Sequence, residues 1–353
     1  MKFKALVPVV IGLFLMANIA CVMTSIDDSS ADPAYSVTDD RGKTINFDNP
    51  YNYVVTLGLA FTSTTIEIGK ESKLILVDTG SKDILPAGST VPNISTSNYT
   101  DVANKIGTIV AEKGIQKDDV LVVMYSYSST GLNTLAEQGY NNVMGFYPKS
   151  YDNVVTYVEK METLLGADHS KSENMATVAS GIVTKIADYT GEKVKAVYVS
   201  YSSSTYKIGN KDSIATSMIE KCGAINAGYD SSKSSSTYAP SEGVGPFLLN
   251  KINNDGLKVI FLDGNYTGTA ADFIQEQSLT GKDVKVYKLD KTWNSYTPDI
   301  TDGLNYMSKC LYPSIFGNPD GDGNNAFNYT PIIIGVVVAV VIIGTAFIIT
   351  RRH

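Results

Sequence analysis

Few residues of this chain could do covalent chemistry, and the first is Asp78 in the run LILVDTGS. An aliphatic run followed by Asp-Thr-Gly is typical of aspartyl hydrolases, whose chemistry needs two carboxylates close enough to share a proton. The chain has no second Asp-Thr-Gly or Asp-Ser-Gly motif, and Asp263 in FLDGN is a poor substitute. We therefore interpret Asp78 as part of a turn that follows a strand.

Histidine chemistry is equally limited, because the chain has 2 histidines, His169 and His353. The sequence has no Gly-x-Ser-x-Gly elbow for a nucleophilic serine and no glycine-rich phosphate loop before a helix. It also has no cluster of histidines and cysteines with metal-ligand spacing. We expect that the protein is not an enzyme and that it holds no metal or cofactor of its own.

The run NPDGDGNN has acidic and amide residues at alternate positions, as a calcium-binding loop does, in Asp320, Asp322 and Asn324. Such a loop needs glycine at its sixth position and glutamate at its twelfth, where this chain has Asn325 and Pro331. We therefore predict a solvated linker at this place and not a calcium site.

The remaining candidates are aromatic side chains near the ends of predicted strands. Ligands of α/β proteins bind outside the carboxyl ends of the strands, so a group of aromatic residues at those ends favours a binding site. Any one of them alone could equally be packed or simply exposed. The predicted ligand-binding residues are Phe61, Tyr125, Tyr127, Tyr147, Tyr201 and Trp293.

The elements that would position these residues follow an α/β pattern. Short β-branched runs such as KLILVDTG, DDVLVVMYS and KAVYVSYS alternate with helical patterns such as VANKIGTIVAEKG and DSIATSMIEKCG. This alternation predicts two α/β lobes, one over residues 37–149 and one over residues 192–316. Between them, residues 150–191 have helical spacing and no strand pattern, which predicts a long helical link made of a pair of helices.

Both ends of the chain indicate export and anchoring. Residues 1–31 have the basic start and the short apolar stretch of a signal peptide, and cleavage before Cys21 with lipidation is an alternative to cleavage after Ala31. Residues 317–330 form a predicted linker, and the uncharged run 331–350 is long enough to cross a bilayer of about 30 Å. Arg351 and Arg352 predict that residues 351–353 are cytoplasmic and that the bulk of the chain is extracellular.

Other sequence features agree with an extracellular location. N-glycosylation sequons begin at Asn93, Asn98, Asn265 and Asn328. The net charge of −7 argues against a nucleic-acid partner. Without the signal peptide, Cys222 and Cys310 remain, and in an oxidising location they form either a disulfide or two separate buried thiols.

The order of these features resembles the helix-linked (class III) periplasmic binding proteins that serve importers of ferric siderophores, haem and cobalamin. The resemblance runs from about Val37 to Phe316. It begins with an Asp-x-x-Gly hairpin, a strand and a helix ending in glycine in VTDDRGKTINFDNPYNYVVTLGLAFTSTTIEIGKESKLILVD. It continues through IGNKDSIATSMIEKCGAINAG, which is similar to a family helix before a Gly-x-x-Asn turn, and ends in MSKCLYPSIFG.

This resemblance implies a monomeric protein that closes two lobes around a metal chelate or corrinoid and docks on the permease of an ABC importer. It implies docking through one acidic residue per lobe, for which Glu242 and Glu112 are the candidates, and a disulfide between Cys222 and Cys310. With the sequons and the predicted membrane span, it suggests a protein tethered to an archaeal cell surface. The alternative is a surface interaction or adhesion protein that kept the two-lobed fold and lost transport function.

Overall fold

The computed structural model describes residues 34–319, and those from Tyr35 onward belong to one compact unit. The chain enters through an antiparallel hairpin of β1 (Tyr35–Thr38) and β2 (Thr44–Phe47). Asp39 is buried in its turn, where its carboxylate accepts hydrogen bonds from the backbone N–H groups of Arg41, Lys43 and Gly145 at 2.9 to 3.0 Å. Asp39 thereby attaches the hairpin to the strand that contains Gly145.

The first lobe, here the N-lobe, is built on a five-stranded parallel sheet with the order β5-β4-β3-β6-β7. Its central strands are continuous apolar runs because helices cover both faces of the sheet. Its elements are β3 (Tyr53–Leu57), α1 (Leu59–Glu67), β4 (Leu74–Asp78), β5 (Asn93–Ile94), α2 (Tyr99–Lys113), β6 (Val120–Tyr125), α3 (Ser129–Glu137) and β7 (Val143–Phe146).

Two helices, α4 (Tyr151–Leu165) and α5 (Ser170–Ala187), form the link between the lobes. Ser150 caps α4 by accepting a hydrogen bond from the backbone N–H of Asn153, and Gly166 ends it in the left-handed conformation that glycine adopts readily. The buried carboxylate of Glu162 on α4 accepts hydrogen bonds from the backbone N–H of Lys171 and from the hydroxyl of Ser172 on α5. This carboxylate fixes the turn between the two helices.

The second lobe, here the C-lobe, has a six-stranded mixed sheet in which β11-β9-β8-β12-β13 are consecutive and β10 also pairs with β8. Strands β8, β10, β12 and β13 are parallel to one another. Strand β9 pairs antiparallel with β8, and β11 pairs antiparallel with β9. The strands are β8 (Lys195–Ser202), β9 (Thr205–Gly209), β10 (Ile225–Asn226), β11 (Thr237–Tyr238), β12 (Val259–Leu262) and β13 (Lys285–Lys288). The helices are α6 (Ile214–Lys221), α7 (Val244–Asn250), α8 (Ala270–Glu276), α9 (Ile300–Leu311) and α10 (Pro313–Phe316).

One buried apolar cluster extends through the linking helices into both lobes. It includes Val54 and Phe61 of the N-lobe, Val158 of α4, and Tyr198 and Phe261 of the C-lobe. The outer face of each sheet has its own smaller cluster. The link is therefore packed against both lobes and limits how far they can move apart.

The predicted α/β architecture with two lobes and a helical link is confirmed. The apolar run YVVTLGLAF forms β3 only to Leu57 and begins α1 at Leu59, in agreement with the expected strand followed by a helix. Within residues 34–319, no helix is long and apolar enough to cross a membrane. Outside the described residues lie the predicted signal peptide with Cys21, most of the predicted linker with Asp320, Asp322 and Asn324, the sequon residue Asn328, the membrane span and the tail with His353.

Candidate ligand-binding cleft

Three tyrosines lie together where β6 and β7 of the N-lobe end. The rings of Tyr125 and Tyr127 are stacked with centroids 5.0 Å apart and planes inclined by 15°. The ring of Tyr147 meets that of Tyr127 edge to face at 5.1 Å. Tyr127 is 61% exposed, so this group presents aromatic surface to solvent. Because β6 and β7 are parallel, their carboxyl ends lie side by side at one edge of the sheet. This brings together residues that are distant in sequence.

Tyr296 adds a fourth ring to this group, and it comes from the C-lobe, after β13. Its centroid lies 6.0 Å from that of Tyr125 and 6.0 Å from that of Tyr147, both edge to face. We call Tyr125, Tyr127, Tyr147 and Tyr296 the tyrosine patch. The tyrosine patch therefore combines residues of both lobes.

Phe61 forms the buried floor of the tyrosine patch. It is fully buried, and its ring lies 4.7 Å from that of Tyr125. Gly58, just before α1, permits this packing, because a Cβ atom there would lie 2.7 Å from the Tyr125 ring and 2.9 Å from the Phe61 ring. Phe61 therefore supports the patch from below and is not a surface for a ligand.

Three of the four phenols in the patch stay protonated at physiological pH. Burial, with the neighbouring Tyr127, raises the pKa of Tyr125 to about 12, and burial likewise raises the pKa of Tyr127 and of Tyr296. Its phenols therefore act as hydrogen-bond donors and stacking surfaces. The ammonium group of Lys149, 5.7 Å from the centre of the Tyr147 ring, adds one positive charge at the edge of the patch.

Two of the six predicted ligand-binding residues lie elsewhere. The ring of Trp293 packs against that of Tyr306 on α9, with centroids 5.0 Å apart. Gly303 permits this packing, because a Cβ atom there would lie 2.7 Å from the Cβ atom of Trp293. Tyr201 belongs to a different group of rings on the C-lobe, with Tyr206 at 5.0 Å. Among the residues that the structure describes, neither makes a ring contact with the tyrosine patch.

Sequence reasoning missed Tyr296, which lies three residues after the predicted Trp293. The sequence does place Tyr296 after a strand, since KTWNSY follows the last C-lobe strand and contains both aromatic residues. The residues Lys291–Asn294 form one turn of 3-10 helix, which turns Trp293 toward α9 before the chain reaches Tyr296. Spacing alone could not tell which of the two aromatic rings meets the N-lobe.

The interpretation of Asp78 as a turn residue agrees with the structure. Its carboxylate accepts hydrogen bonds from the backbone N–H of Gly80 and from the hydroxyl of Ser81. Asp263 is buried in the other lobe, where it accepts the phenol hydrogen bond of Tyr198 at 2.6 Å. The two carboxylates have separate partners, and no hydrogen bond joins them.

The two predicted docking residues are exposed but lie at opposite edges of their sheets. Glu242 directly precedes α7, and the end of α7 leads to the first residue of β12. The start of α7, with Glu242, therefore lies toward the carboxyl end of β12. Glu112 is in the last turn of α2, close to the start of β6, and so lies far from the edge with the tyrosine patch. Glu112 and Glu242 therefore lie at different edges of their sheets, and the docking role of each stays a prediction.

The predicted disulfide is not present. Cys222 and Cys310 are both buried thiols, and the Cys222 sulfhydryl donates a weak hydrogen bond of 3.7 Å to the carbonyl oxygen of Leu304. Burial, with Cys310 nearby, raises the pKa of the Cys222 thiol. The alternative of buried thiols, left open by the sequence, describes the structure. The predicted glycosylation residues Asn93, Asn98 and Asn265 are all exposed.

Solved structures share this fold. Helicobacter pylori CeuE, solved as a Ni-His complex, is 17% identical over 80% of this chain and 89% of its own, with a TM-score of 0.60. The periplasmic heme-binding protein HutB of Vibrio cholerae is 14% identical over 74% of this chain and 100% of its own, with a TM-score of 0.57. The periplasmic vitamin B12 binding protein BtuF of Vibrio cholerae is 16% identical over 74% and 97%, with a TM-score of 0.54.

No protein-family model and no curated protein matches the sequence of this chain. At identities this low the structural likeness defines the fold. The chain has the two-lobed, helix-linked fold of the class III periplasmic binding proteins.

Proposed function

We propose that this protein is a cell-surface substrate-binding protein that captures a metal chelate or corrinoid between its lobes and delivers it to the permease of an ABC importer. The observation that carries the proposal is the tyrosine patch, because it joins rings from both lobes at the edge where the strands end. The proposed function involves no covalent step. It needs binding, closure of the lobes and release.

The chemistry of the patch favours a ligand that is flat and partly apolar. Phenol rings offer apolar faces to a planar ligand and hydroxyl groups to polar atoms at its rim, and aromatic pairs gain about 0.5–1.5 kcal/mol beyond their burial. Lys149 beside Tyr147 favours a ligand with negative charge near the N-lobe. Ferric chelates and corrinoids combine such flat and polar regions. The neutral phenols argue against a free metal cation as the ligand.

We further propose that the chain is held at the membrane by residues 331–350, with the lobes outside and residues 351–353 in the cytoplasm. The exposure of Asn93, Asn98 and Asn265 is compatible with glycosylation on an extracellular surface. A binding protein tethered in this way stays near a permease in the same membrane. Mass spectrometry of membranes from the native source tests both the anchor and the glycans.

A titration of the full-length protein tests the ligand. Trp293 is the 1 tryptophan of the chain, and haem, cobinamide, cobalamin and ferric siderophores absorb where tryptophan emits. We expect one of these classes to quench the emission in a saturable way and to raise the melting temperature. Tyr147→Ala should weaken that titration about tenfold, whereas Tyr229→Ala, at an exposed tyrosine outside the patch, should not.

The adhesion alternative predicts a different result. If none of these compounds quenches Trp293 or raises the melting temperature, the protein does not bind a chelate, and an interaction role for the exposed tyrosines is favoured instead.

A further inference from the structure

The C-lobe has a cavity of about 620 Å³ at the β8–β9 hairpin. The side chains of Tyr201 and Tyr206 line it from the hairpin, and Tyr266 lines it from the loop after β12. Asp272 and Glu276 of α8 complete the wall. None of the roles discussed above uses this cavity.

The three tyrosines form a continuous aromatic wall. The ring of Tyr201 lies 5.0 Å from that of Tyr206 and 5.3 Å from that of Tyr266, and the latter two are 5.9 Å apart. The rings are mutually inclined, the planes of Tyr201 and Tyr266 by 85°. Phe273 packs behind Tyr206 and Tyr266, which holds their orientations. The ring faces carry negative electrostatic potential, which attracts cations.

Two carboxylates add formal negative charge to this wall. Glu276 accepts hydrogen bonds from the phenols of Tyr206 at 2.6 Å and Tyr266 at 2.9 Å, one on each oxygen. A carboxylate has about four acceptor positions, so both oxygens keep capacity for a further donor. Asp272 caps α8 through Thr269, and these hydrogen bonds lower the pKa of Asp272, which keeps it ionised.

The lining of the cavity has no positive charge of its own. Among the described residues that line it, none is basic. Lys288 is not part of the lining, but its ammonium group donates a hydrogen bond of 3.1 Å to the carbonyl oxygen of Gly268, which is. The cavity therefore combines an aromatic wall with two carboxylates and no internal counter-charge.

This cavity is separate from the tyrosine patch. Successive residues of a strand point to opposite faces of a sheet, and Tyr198 of β8 packs into the core shared with α6 and α9. Val197, Val199 and Tyr201 instead pack with the cluster that contains Phe273 and Leu248. The cavity thus belongs to the α7–α8 side of the C-lobe, whereas Trp293 and Tyr296 pack on the other side.

We propose that the C-lobe cavity binds an organic cation, namely an alkylated ammonium group seated against Tyr201, Tyr206 and Tyr266 and held electrostatically by Glu276 and Asp272. Aromatic rings and carboxylates together recognise such groups, because the cation is weakly hydrated and gains from both the ring faces and the formal charges. The site stands independently of chelate binding at the tyrosine patch.

Choline and its neutral isostere 3,3-dimethylbutan-1-ol test this site on the full-length protein by isothermal titration calorimetry. The two probes have nearly the same shape and differ in charge. We expect saturable binding of choline and at least about tenfold weaker binding of the isostere, the ratio that a partly desolvated cation–aromatic contact gives. Equal affinities, or no heat from choline, would overturn the proposal.

Variants locate the binding. Glu276→Gln keeps the size of the side chain and removes its charge, and Tyr201→Leu removes one ring from a partly exposed position. Each should weaken choline binding about tenfold. Tyr229→Leu is the control and should bind choline like the wild type. Unchanged affinity in both test variants, with circular dichroism showing that they fold, would contradict the assignment whatever happens in the chelate titration.

Discussion

The hydroxyl of Thr64 on α1 donates a hydrogen bond of 3.3 Å to the backbone carbonyl oxygen of Tyr296, and this bond joins the N-lobe to the C-lobe. Together with the ring contacts of Tyr296 it forms a direct connection between the two lobes. The lobes are thus connected both through the linking helices and through Tyr296. If the proposed ligand binds at the tyrosine patch, we expect it to displace or use this contact.

We therefore expect Tyr296→Ala to loosen the connection between the lobes. The variant loses two ring contacts between the lobes, worth about 1 kcal/mol in total. Small-angle X-ray scattering should give a larger radius of gyration than for the wild type. Tyr296→Phe keeps the ring and should scatter like the wild type, as should Tyr229→Ala. Identical scattering from Tyr296→Ala would mean that the linking helices alone fix the lobes.

Glu67 predicts a pH dependence of stability. It ends α1, where burial, with Asp299 next in importance, raises its pKa from 4.5 to about 7. The folded protein then keeps a proton that the unfolded chain releases near pH 4.5. The free energy of unfolding should therefore fall as the pH rises from about 4.5 to about 7.

Urea unfolding of Glu67→Gln and of the wild type at pH 5 and pH 8 measures this effect. Because Glu67 is partly exposed, we expect the variant to gain on the order of 1 kcal/mol at pH 8 relative to pH 5. Glu71→Gln, at an exposed position nearby, is the control. If the difference between variant and wild type is the same at both pH values, Glu67 does not titrate in this range.

Glu162 should be required for a stable link. Its buried carboxylate accepts hydrogen bonds from α5, and removing it leaves the backbone N–H of Lys171 and the hydroxyl of Ser172 without that partner. Glu162→Ala should lower the free energy of unfolding by about 2–3 kcal/mol. Glu159→Ala, on the exposed side of the same helix, should cost much less. Similar melting temperatures for the two variants would contradict this role.

Much of the fold could be predicted, because strands such as β6 and β12 are buried on both faces and their apolar runs are unmistakable. The helical link could be predicted from the stripe of apolar residues at helical spacing. The site was harder. Tyr125 ends β6, and Tyr127 and Tyr147 come just after β6 and β7, so their position depends on the sheet alone. Tyr296 depends on how two lobes meet, and no local pattern contains that information.

The state of the cysteines was also beyond local patterns. A count of two in an exported chain is compatible with a bridge or with two thiols, and only the surroundings distinguish them. We expect Cys222 and Cys310 to resist iodoacetamide in the folded protein and to be labelled fully in urea without reductant, because both are buried. Recovery of the two in one linked peptide would contradict the thiol state.

The last prediction concerns docking on the permease. Glu242 lies directly before α7, and Asp101 lies in the first turn of α2, so each is an exposed acidic residue near the start of its helix. In the chain, α7 is followed by β12 of the C-lobe sheet and α2 is followed by β6 of the N-lobe sheet. The two carboxylates are therefore candidates for one contact on each side of the cleft.

Charge reversal separates docking from ligand capture. Glu242→Arg and Asp101→Arg should keep the ligand affinity of the wild type and reduce uptake strongly, because a rim charge acts on the encounter with the permease and not on the cleft. Glu112→Arg, at the opposite edge of the N-lobe sheet, is the matched control and should leave both unchanged. Ligand affinity is measured by titration and uptake by accumulation of labelled ligand in cells. Reduced uptake in Glu112→Arg with normal uptake in Asp101→Arg would place the N-lobe contact at the opposite edge of the sheet. A parallel loss of affinity and uptake in Glu242→Arg would show that this residue contributes to ligand binding.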